Sequence, residues 1–414
     1  MTSGATERKL QAAWLKDGGL PNLLAVLDRD GEEARAVGGA VRNALLGMPV
    51  GEVDVATTAV PDEVAKRVTA AGFKAVPTGI EHGTVTVVID SVPFEVTTLR
   101  RDVETYGRHA KVAFGRDWKT DAERRDFTIN ALSVARDGAV YDYVGGLADL
   151  EKRKVRFIGE PKKRIEEDYL RVLRFFRFHA AYGGGALDAD GLRACIAARG
   201  ELDQLSRERV RMELVKLLLA PRAAGVLEAM ADAGLLGPLL AGVPNGVHFS
   251  AMVAIEHATS LQPNAMRRLG ALAVLVEEDA ERLSEKLRLS NAERERLLSM
   301  AQAWWRRIVP AGDKLAKPWL YRLGPDQFVD RVLLAWARWG APPDDAGWRE
   351  LATLPQRWTP PQFPIKAADL MALGVEKGPK LGAALKAAEK AWIAADFPSA
   401  KSELDAIAES AAKV

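Results

Sequence analysis

At 414 residues, 48% of them hydrophobic and 28% charged, the chain has the composition of a folded protein with two or more domains, since single cores stop growing near about 250–300 residues. The formal net charge of +2 does not by itself predict nucleic acid as a partner. The single cysteine, Cys195, excludes an intrachain disulfide and a cysteine metal cluster, and the five histidines lack metal-ligand spacing. Residues 1–14 lack the apolar core of a signal peptide and no apolar run reaches about 18 residues, so we expect a cytosolic protein without a membrane span.

The first ~145 residues have the mixed pattern of an α/β domain, which is an ordinary domain size. Helical periodicity and apolar alternation identify its elements in chain order. They predict helices at 6–16 and from Pro21 to about Leu27, a strand at 34–37, a helix at 40–46, a strand at 52–57, a helix from Pro61, strands at 84–89 and 94–99, a loop at 100–124, a helix at 127–135 and a strand at 140–143.

After Gly145-Gly146 the pattern changes, and almost no alternating segments follow. Glycine and proline separate the helical segments from one another. Helices are predicted at 165–182, 188–198, 206–219, 222–234, 249–260, 266–287, 291–308, 318–339 and 366–394. The sequence therefore predicts an α/β domain followed by a long all-helical part.

Two carboxylates separated by one residue are the first candidate site. Glu52 and Asp54 alternate with Val53 and Val55, so strand periodicity places both carboxylates on one face of a sheet. Carboxylate pairs of this kind, completed by substrate phosphates, hold magnesium. The alternative is a solvated strand edge. Glu95, which alternates with its apolar neighbours in a later strand, is a candidate third carboxylate if the two strands are adjacent, and an ordinary exposed residue otherwise.

A glycine turn precedes these carboxylates. Gly38 and Gly39 lead into a helical stretch, and Arg42 follows within its first turn. Backbone N–H groups at a turn of this type and at a helix start can receive a triphosphate, and the arginine adds positive charge. Together with the carboxylates, the turn indicates nucleotidyl transfer.

Two further segments have groups suited to nucleotide binding. In the first, Arg125 can neutralise phosphate charge, and Asp126 and Asn130, four apart on a predicted helix, can bind a sugar or fix a neighbour. The alternative is a charged helix start. In the second, a carboxylate and three arginines recur at three-residue spacing along a helix face, which suits recognition of bases and phosphates. These residues are Asp168, Arg171, Arg174 and Arg177, and their alternative is a salt-bridged solvated helix.

The order and spacing of seven segments resemble the class II tRNA nucleotidyltransferases and bacterial poly(A) polymerases. The resemblance covers roughly residues 30–220, and the rest is similar only in being helical. The segments are GGAVR at 38–42, EVDVAT at 52–57, EVTT at 95–98, RRDFTINA at 124–131, GG at 145–146, EDYLR at 167–171 and SRER at 206–209.

This resemblance implies an α+β head with a polymerase-β-type palm and a mixed sheet, followed by all-α neck, body and tail domains. The implied divisions are 1–148 for the head, 149–240 for the neck and 241–414 for the body and tail. The reaction implied is addition of CCA to the tRNA 3′ end from CTP and ATP, with pyrophosphate released and Mg²⁺ as cofactor. No protein partner and no membrane are implied.

The resemblance also assigns roles to the candidate residues. Glu52 and Asp54 hold the metal, with Glu95 as a further catalytic carboxylate. The remaining residues bind the nucleotide: Gly38, Gly39, Arg42 and Arg125 at the triphosphate, Asp126 and Asn130 beside them, and Asp168, Arg171, Arg174 and Arg177 at the base. The chain departs from the family in two places, because Glu52 and Asn43 stand where aspartate is usual.

Alternative functions remain open at this point. A poly(A) polymerase or an A-adding specialist has the same head and neck motifs. The segment 100–123, with Arg100, Arg101, Arg108 and His109, has the full length expected of CCA-adding and A-adding members and argues against addition of C alone. A non-catalytic RNA-binding protein on a degenerate head would explain Glu52 and Asn43, and a small-molecule nucleotidyltransferase would not need the helical tail.

Overall fold

The computed structural model describes residues 4–79, 83–106, 109–302, 308–310 and 312–413. The chain forms two compact units, residues 1–239 and 240–414. The described strands are β1 Ala5–Lys9, β2 Ala34–Val37, β3 Asp54–Thr57, β4 Lys74–Gly79, β5 Thr84–Ile89, β6 Val92–Thr98, β7 Arg100–Tyr106, β8 His109–Phe114, β9 Ser133–Val134 and β10 Ala139–Tyr141.

The described helices outnumber the strands and follow mainly after residue 145. They are α1 Ala13–Lys16, α2 Gly19–Leu27, α3 Gly39–Leu45, α4 Pro61–Ala70, α5 Trp118–Glu123, α6 Gly146–Glu151, α7 Pro161–Glu167, α8 Leu170–Tyr182, α9 Ala189–Ala197, α10 Arg207–Leu218, α11 Ala223–Asp232, α12 Leu236–Leu240, α13 Gly246–Ala258, α14 Ala265–Ala273, α15 Glu277–Leu287, α16 Asn291–Ala301, α17 Asp313–Trp339, α18 Ala346–Ala352, α19 Leu354–Arg357, α20 Ala367–Ala372, α21 Pro379–Ala394 and α22 Lys401–Ala411. Short 3₁₀ helices lie at Thr128–Asn130 and Arg199–Gln204.

The head is built on a mixed sheet, as the sequence predicted. Within the described residues its strand order is β1-β10-β9-β2-β3-β6-β5-β4. The β3 and β6 strands are parallel, and the other neighbouring pairs are antiparallel. Buried and exposed residues alternate along β5 and β6. The apolar side faces α4, which packs against both strands and against α2, and this leaves the other side of the sheet for polar residues.

Helix α8 packs against the head through a cluster of aromatic rings. The ring centroid of Phe127 lies 5.2 Å from that of Phe178 and 4.9 Å from that of Phe157. Phe157 in turn stacks on Phe175 of α8 at 5.4 Å. Burial of these rings fixes the helix relative to the segment around Phe127, and it thereby sets where the polar residues of α8 lie.

The second unit is helical and contains a buried ionic cluster. Arg267 donates to Glu256 and to Asp330, each at 2.9 Å, and Arg268 donates to Glu256 at 2.7 Å. Arg296 donates to Asp330 at 2.8 Å. Both carboxylates are 1% exposed, so the arginines are what makes their burial tolerable. None of the described helices is long and apolar enough to cross a membrane.

Several sequence-based element predictions were wrong. The single helices expected at 165–182, 266–287 and 366–394 are each two helices. The opening segment forms β1, an exposed edge strand paired with β10, before the short α1. The expected loop at 100–124 is a β7–β8 hairpin followed by α5, with residues 107–108, and so Arg108, outside the described residues. Backbone pairing in such a hairpin does not need an apolar face, so composition did not reveal it. The expected helix at 127–135 is a 3₁₀ turn that ends because Ser133 and Val134 pair with β2 and β10.

Candidate active site

The glycine turn follows β2 directly. Gly38 has φ 69°, a conformation that favours glycine, and its N–H donates to the carbonyl of Leu132 at 3.0 Å. A Cβ at Gly38 would lie 3.3 Å from Nη1 of Arg125. The bare turn therefore lets the Arg125 guanidinium approach the start of α3. Asp121 accepts from Arg125 Nη2 at 3.2 Å and so holds that side chain in place.

The carboxylates lie at the start of β3 and on β6. In the parallel pairing Val55 is opposite Val96, which puts Asp54 and Glu95 side by side on neighbouring strands. Both are exposed between buried neighbours. The strand begins at Asp54, so the expectation that Glu52 lies on it was wrong: Glu52 precedes the strand, where β3 has no partner to extend it. Glu52 is nevertheless exposed, as Asp54 is, and Val53 between them is buried.

Electrostatics at this edge favours a cation. Desolvation, followed by repulsion from Glu95 and then from Glu52, raises the pKa of the Asp54 carboxyl, while Arg125 lowers it. Among the described residues, no three His, Cys, Asp or Glu side chains form a complete metal cage. Carboxylate oxygens that repel one another still fit a hard cation, and magnesium is typically bound by one or two carboxylates plus substrate phosphates.

Arg42 is buried at 5% exposure beneath the turn. Its Nε and Nη2 donate to Oδ1 of Asn43 at 3.1 and 2.9 Å, its Nη1 donates to Oδ1 of Asn130, and its Nη2 donates to the hydroxyl of Tyr182 at 2.7 Å. The asparagine that replaces the family's aspartate therefore still orients Arg42 and removes only the charge. Burial, together with the positive charge of Arg177, lowers the pKa of Arg42.

Asp126 and Asn130 are in contact although they do not share the α-helix that the sequence predicted. Asp126 accepts from Asn130 Nδ2 at 3.0 Å, from Arg174 Nε at 2.8 Å and from the N–H of Phe127 at 2.8 Å. Burial raises the pKa of Asp126, but the Arg174 guanidinium and the hydrogen bonds outweigh it, so the pKa is lowered. Asp126 therefore fixes two neighbours, one of which, Asn130, reaches Arg42.

The expected stripe led by Asp168 is broken, because Asp168 lies between helices α7 and α8 while the three arginines lie on α8. Asp168 lies at the end of α7, before α8 begins, so the prediction that it shares a helix face with Arg171 was wrong. Its carboxylate accepts from the N–H of Leu170 at 3.1 Å and from Arg209 Nη2 at 2.6 Å. Arg171 instead donates to Glu167 and to the carbonyl of Arg164, the latter at 2.7 Å. Asp168 and Arg171 are therefore each held by a different partner and not by one another.

The other two arginines of α8 share a buried partner from α10. Glu213 is 6% exposed and accepts from Arg177. It also lies 3.6 Å from Arg174. Sequence reasoning missed Glu213, because its position six residues into another helix gives no local sign of the contact.

A cavity of about 520 Å³ brings most of the expected site residues together. Two predicted residues, Glu52 and Glu95, are not among those that line it. Four lining residues were given no role from the sequence, although Arg124, Leu170 and Arg209 lie inside the segments that resemble the family. The predicted residues in the lining are Gly38, Gly39, Arg42, Asp54, Arg125, Asp126, Asn130, Asp168, Arg171, Arg174 and Arg177, and those without a predicted role are Arg124, Leu170, Phe178 and Arg209.

A mixed-sheet head with a glycine turn, strand carboxylates and a cationic cavity defines a nucleotidyltransferase. The family model of the poly(A) polymerase head domain matches residues 34–156, and the one described as the probable RNA- and SrmB-binding site of polymerase A matches residues 186–245. The chain is 35% identical over 394 residues to the mitochondrial CCA tRNA nucleotidyltransferase 1 of Danio rerio, covering 93% of this chain and 89% of that protein.

Two further relatives are bacterial. The chain is 32% identical over 375 residues to a CCA-adding enzyme of Limosilactobacillus fermentum, covering 88% of this chain and 89% of that protein. The crystal structure of the Bacillus stearothermophilus CCA-adding enzyme in complex with CTP matches with a TM-score of 0.73 and 28% identity, over 94% of this chain and 96% of that one. The chain belongs to the CCA tRNA nucleotidyltransferase family, whose members are generally metal-dependent.

Proposed function

We propose that this protein adds CCA to the 3′ end of tRNA, using CTP and ATP and releasing pyrophosphate. The observation that carries the proposal is the single cavity in which the glycine turn, Asp54 and the arginines of α8 meet. One nucleotide fits this arrangement with its triphosphate at the turn, its α-phosphate near the carboxylates and its base toward α8. No nucleic-acid template is needed when protein side chains face the base.

The triphosphate is bound in this proposal by Gly38, Gly39, Arg42 and Arg125. Arg125 lies against the turn, and Arg42 is held beneath it by oxygens on several elements. Fixed donors aimed at the phosphates stabilise charge that develops on the leaving pyrophosphate without reorganising during the reaction.

Mg²⁺ is proposed as the cofactor, held by Asp54 and Glu52 with Glu95 beside them. When bound, the ion supplies charge that lowers the pKa of the tRNA 3′-hydroxyl and stabilises the leaving group. The repulsion that Asp54 receives from Glu95 and from Glu52 supports a cation there. The protein side chains orient the attacking hydroxyl and the α-phosphate relative to each other.

Base recognition is proposed for Asp168 and Arg171, with Arg174 and Arg177 in support. Asp168 accepts from an exocyclic amine, and Arg171 donates to a ring acceptor, which suits both cytosine and adenine. The anchoring of Asp168 by Arg209 and of Arg171 by Glu167 supports this role, since it fixes the two groups independently.

The remaining assignments follow from membership in the family. We propose that residues 1–148 form the head, 149–240 the neck and 241–414 the body and tail that bind tRNA. The proposed location is the cytosol, and mitochondrial relatives exist.

Single-nucleotide products on defined tRNAs test the function. Transcripts ending at the discriminator base, at C and at CC are each incubated with Mg²⁺ and with CTP, ATP or both. Addition of CCA followed by a stop is expected.

Other outcomes contradict the proposal in distinguishable ways. Growth past one A on any RNA means a poly(A) polymerase, and extension of only the CC-ending transcript means an A-adding specialist. No extension, together with tight tRNA binding, means a non-catalytic RNA-binding protein, and Glu52→Asp is then the first variant to test.

A further inference from the structure

Arg42 is held entirely by neutral oxygens. Its guanidinium donates to the side-chain carbonyls of Asn43 and Asn130 and to the hydroxyl of Tyr182. Neutral acceptors orient a cation without neutralising it, so its charge stays available to an anionic ligand.

The other arginines of the cavity are held differently. Arg124 and Arg125 pair with Asp121, and Arg209 pairs with Asp168. The three arginines of α8 pair with Glu167, Asp126 and Glu213. Among the described residues that line the cavity, Arg42 is therefore the arginine without a carboxylate at ion-pair distance. Asp126 acts on Arg42 electrostatically from beyond Asn130, so the Arg42 charge has no direct ion-pair partner and is open to a triphosphate.

Tyr182 contacts Arg42 in two ways at once. The tyrosine hydroxyl accepts from Nη2 at 2.7 Å, and the guanidinium carbon lies 3.8 Å from the centre of the tyrosine ring. The hydrogen bond and the cation–π contact both stabilise the position of the Arg42 guanidinium. The Phe178 ring, one turn earlier on α8, is farther from Arg42 at 5.3 Å.

Tyr182 connects Arg42 to helix α8. Tyr182 is the last residue of α8, the helix that also contains Arg171, Arg174 and Arg177. A second route joins the same helix to Arg42, since Arg174 binds Asp126, Asp126 binds Asn130, and Asn130 binds Arg42. Two positions on α8, Arg174 in its second turn and Tyr182 at its end, are thus tied to one side chain of α3.

We propose that Tyr182 is a positioning residue that holds Arg42 against the nucleotide triphosphate and couples it to the base-reading helix α8. The proposal rests on the proposed function, because it takes Arg42 as a triphosphate ligand. Tyr182 itself touches no reacting atom. Because it acts on a contact that is common to CTP and ATP, its loss affects both nucleotides by the same factor.

Two variants of the full-length protein separate the two contacts. Tyr182→Phe keeps the ring and removes the hydroxyl, and Tyr182→Leu removes both. The matched control is Tyr143→Phe, since the hydroxyl of Tyr143 accepts from Arg35 Nη1 at 3.1 Å outside the cavity. For each protein we would measure Tm, the KM and kcat for CTP and ATP with a tRNA substrate, and the dissociation constant of inorganic tripolyphosphate.

Tyr182→Leu is expected to raise the KM for CTP and for ATP by about tenfold each, because Arg42 is held less firmly against the triphosphate of either nucleotide. The tripolyphosphate dissociation constant should rise by the same factor. Tyr182→Phe should give about a threefold rise, and Tyr143→Phe none. This pattern would support the proposal.

The opposite results overturn it. Unchanged KM values and unchanged tripolyphosphate binding in Tyr182→Leu would remove the positioning role. A rise confined to CTP or to ATP would place Tyr182 at the base instead. If Tyr182→Leu has a lowered Tm, the KM values and tripolyphosphate binding of Tyr182→Phe decide whether the proposal stands. Failure of the wild-type protein to extend any RNA would defeat the proposed function, whereas the tripolyphosphate ratio would still test Tyr182 without turnover.

Discussion

At the scale of single residues, the site combines a crowded group of carboxylates with arginines in defined pairings. Desolvation, together with smaller contributions from repulsion by Glu95 and Glu52, raises the pKa of the Asp54 carboxyl. Asp126 has the opposite shift, because Arg174 and its hydrogen bonds outweigh the cost of burial. Two aspartates of one cavity therefore differ: Asp54 is the one that we propose for the metal, and Asp126 is an anchor for Asn130 and Arg174.

Asp54→Ala is expected to reduce nucleotide incorporation by about 10³-fold or more for both CTP and ATP, because a metal-binding carboxylate is worth several kcal/mol at the transition state. Affinity for tRNA should stay nearly unchanged. Single-turnover rates and tRNA binding by filter retention measure the two effects. Equal loss of tRNA binding would count against the metal role.

The raised pKa of Asp54 also predicts how stability depends on pH. The folded protein binds this proton more tightly than the unfolded chain does, so between the unfolded value of about 3.9 and the raised folded value, stability falls as pH rises. Without metal, Asp54→Asn should therefore raise Tm at pH 7.5, by about a degree or two. The gain should shrink as pH falls through the raised pKa. A constant difference at all pH values would contradict this electrostatic origin.

At the scale of elements, the start of helix α6 packs closely against the 3₁₀ turn that contains Asn130, and this contact positions the turn. The carboxylate of Asp142 accepts four N–H groups of residues 144–147, at 2.9 to 3.1 Å, and so fixes the turn into α6. Gly146 starts that helix, and a Cβ there would lie 2.3 Å from the carbonyl oxygen of Thr128. Gly146 is therefore a packing contact with the 3₁₀ turn, and neither Gly145 nor Gly146 lines the cavity.

Gly146→Ala is expected to cost about 1–3 kcal/mol of unfolding free energy, since backbone has to move to admit the methyl group. Because the 3₁₀ turn includes Asn130, the KM for both nucleotides should rise as well. Chemical denaturation and steady-state kinetics measure these effects. Gly200→Ala is the control, because nothing lies within 4 Å of its Cβ position. Equal costs for both variants would refute the argument.

Arg171→Ala tests the proposal that helix α8 reads the base. Its guanidinium is placed by Glu167 and by the Arg164 carbonyl, and it lines the cavity. Losing one directional contact should change the ratio of kcat/KM for CTP and ATP by about tenfold. Magnesium dependence should remain that of the wild type. An unchanged nucleotide ratio would remove the proposed role of Arg171.

At the scale of the whole molecule, the chain is divided into one unit that contains the candidate site and a second unit whose described elements are all helices. The second unit is held by its buried ionic cluster as well as by its apolar core. Such clusters are costly to break, because the remaining charges stay buried without a partner. This lets a mutation act on the second unit while the cavity residues of the first are unaltered.

Asp330→Asn should destabilise the second unit by about 3–5 kcal/mol, since Arg267 and Arg296 lose their shared partner. The KM for tRNA should rise while the dissociation constant of CTP stays near the wild-type value. Thermal unfolding, kinetics and calorimetry measure these quantities. Glu281→Gln, which removes an exposed partner of Arg294, is the control and should leave Tm nearly unchanged. Loss of CTP affinity in Asp330→Asn would argue against separate roles for the two units.

The sequence by itself predicted the class of the fold and most of the residues that the cavity brings together. The glycine turn, the acidic residues near the start of β3 and the arginines of α8 are local patterns, and local patterns fix which groups point the same way. The mixed sheet followed by helices was likewise readable, because periodicity separates strands from helices wherever one face is buried.

Only the tertiary structure decided which groups meet. Asp126 and Asn130 touch across a 3₁₀ turn instead of along a helix, and Asp168 binds Arg209 from a helix 41 residues away instead of Arg171. Glu213 and Tyr182 gave no local signal, because their roles depend on how α10 and α8 pack. Partners distant in sequence are selected by burial and packing, which no short stretch of sequence encodes.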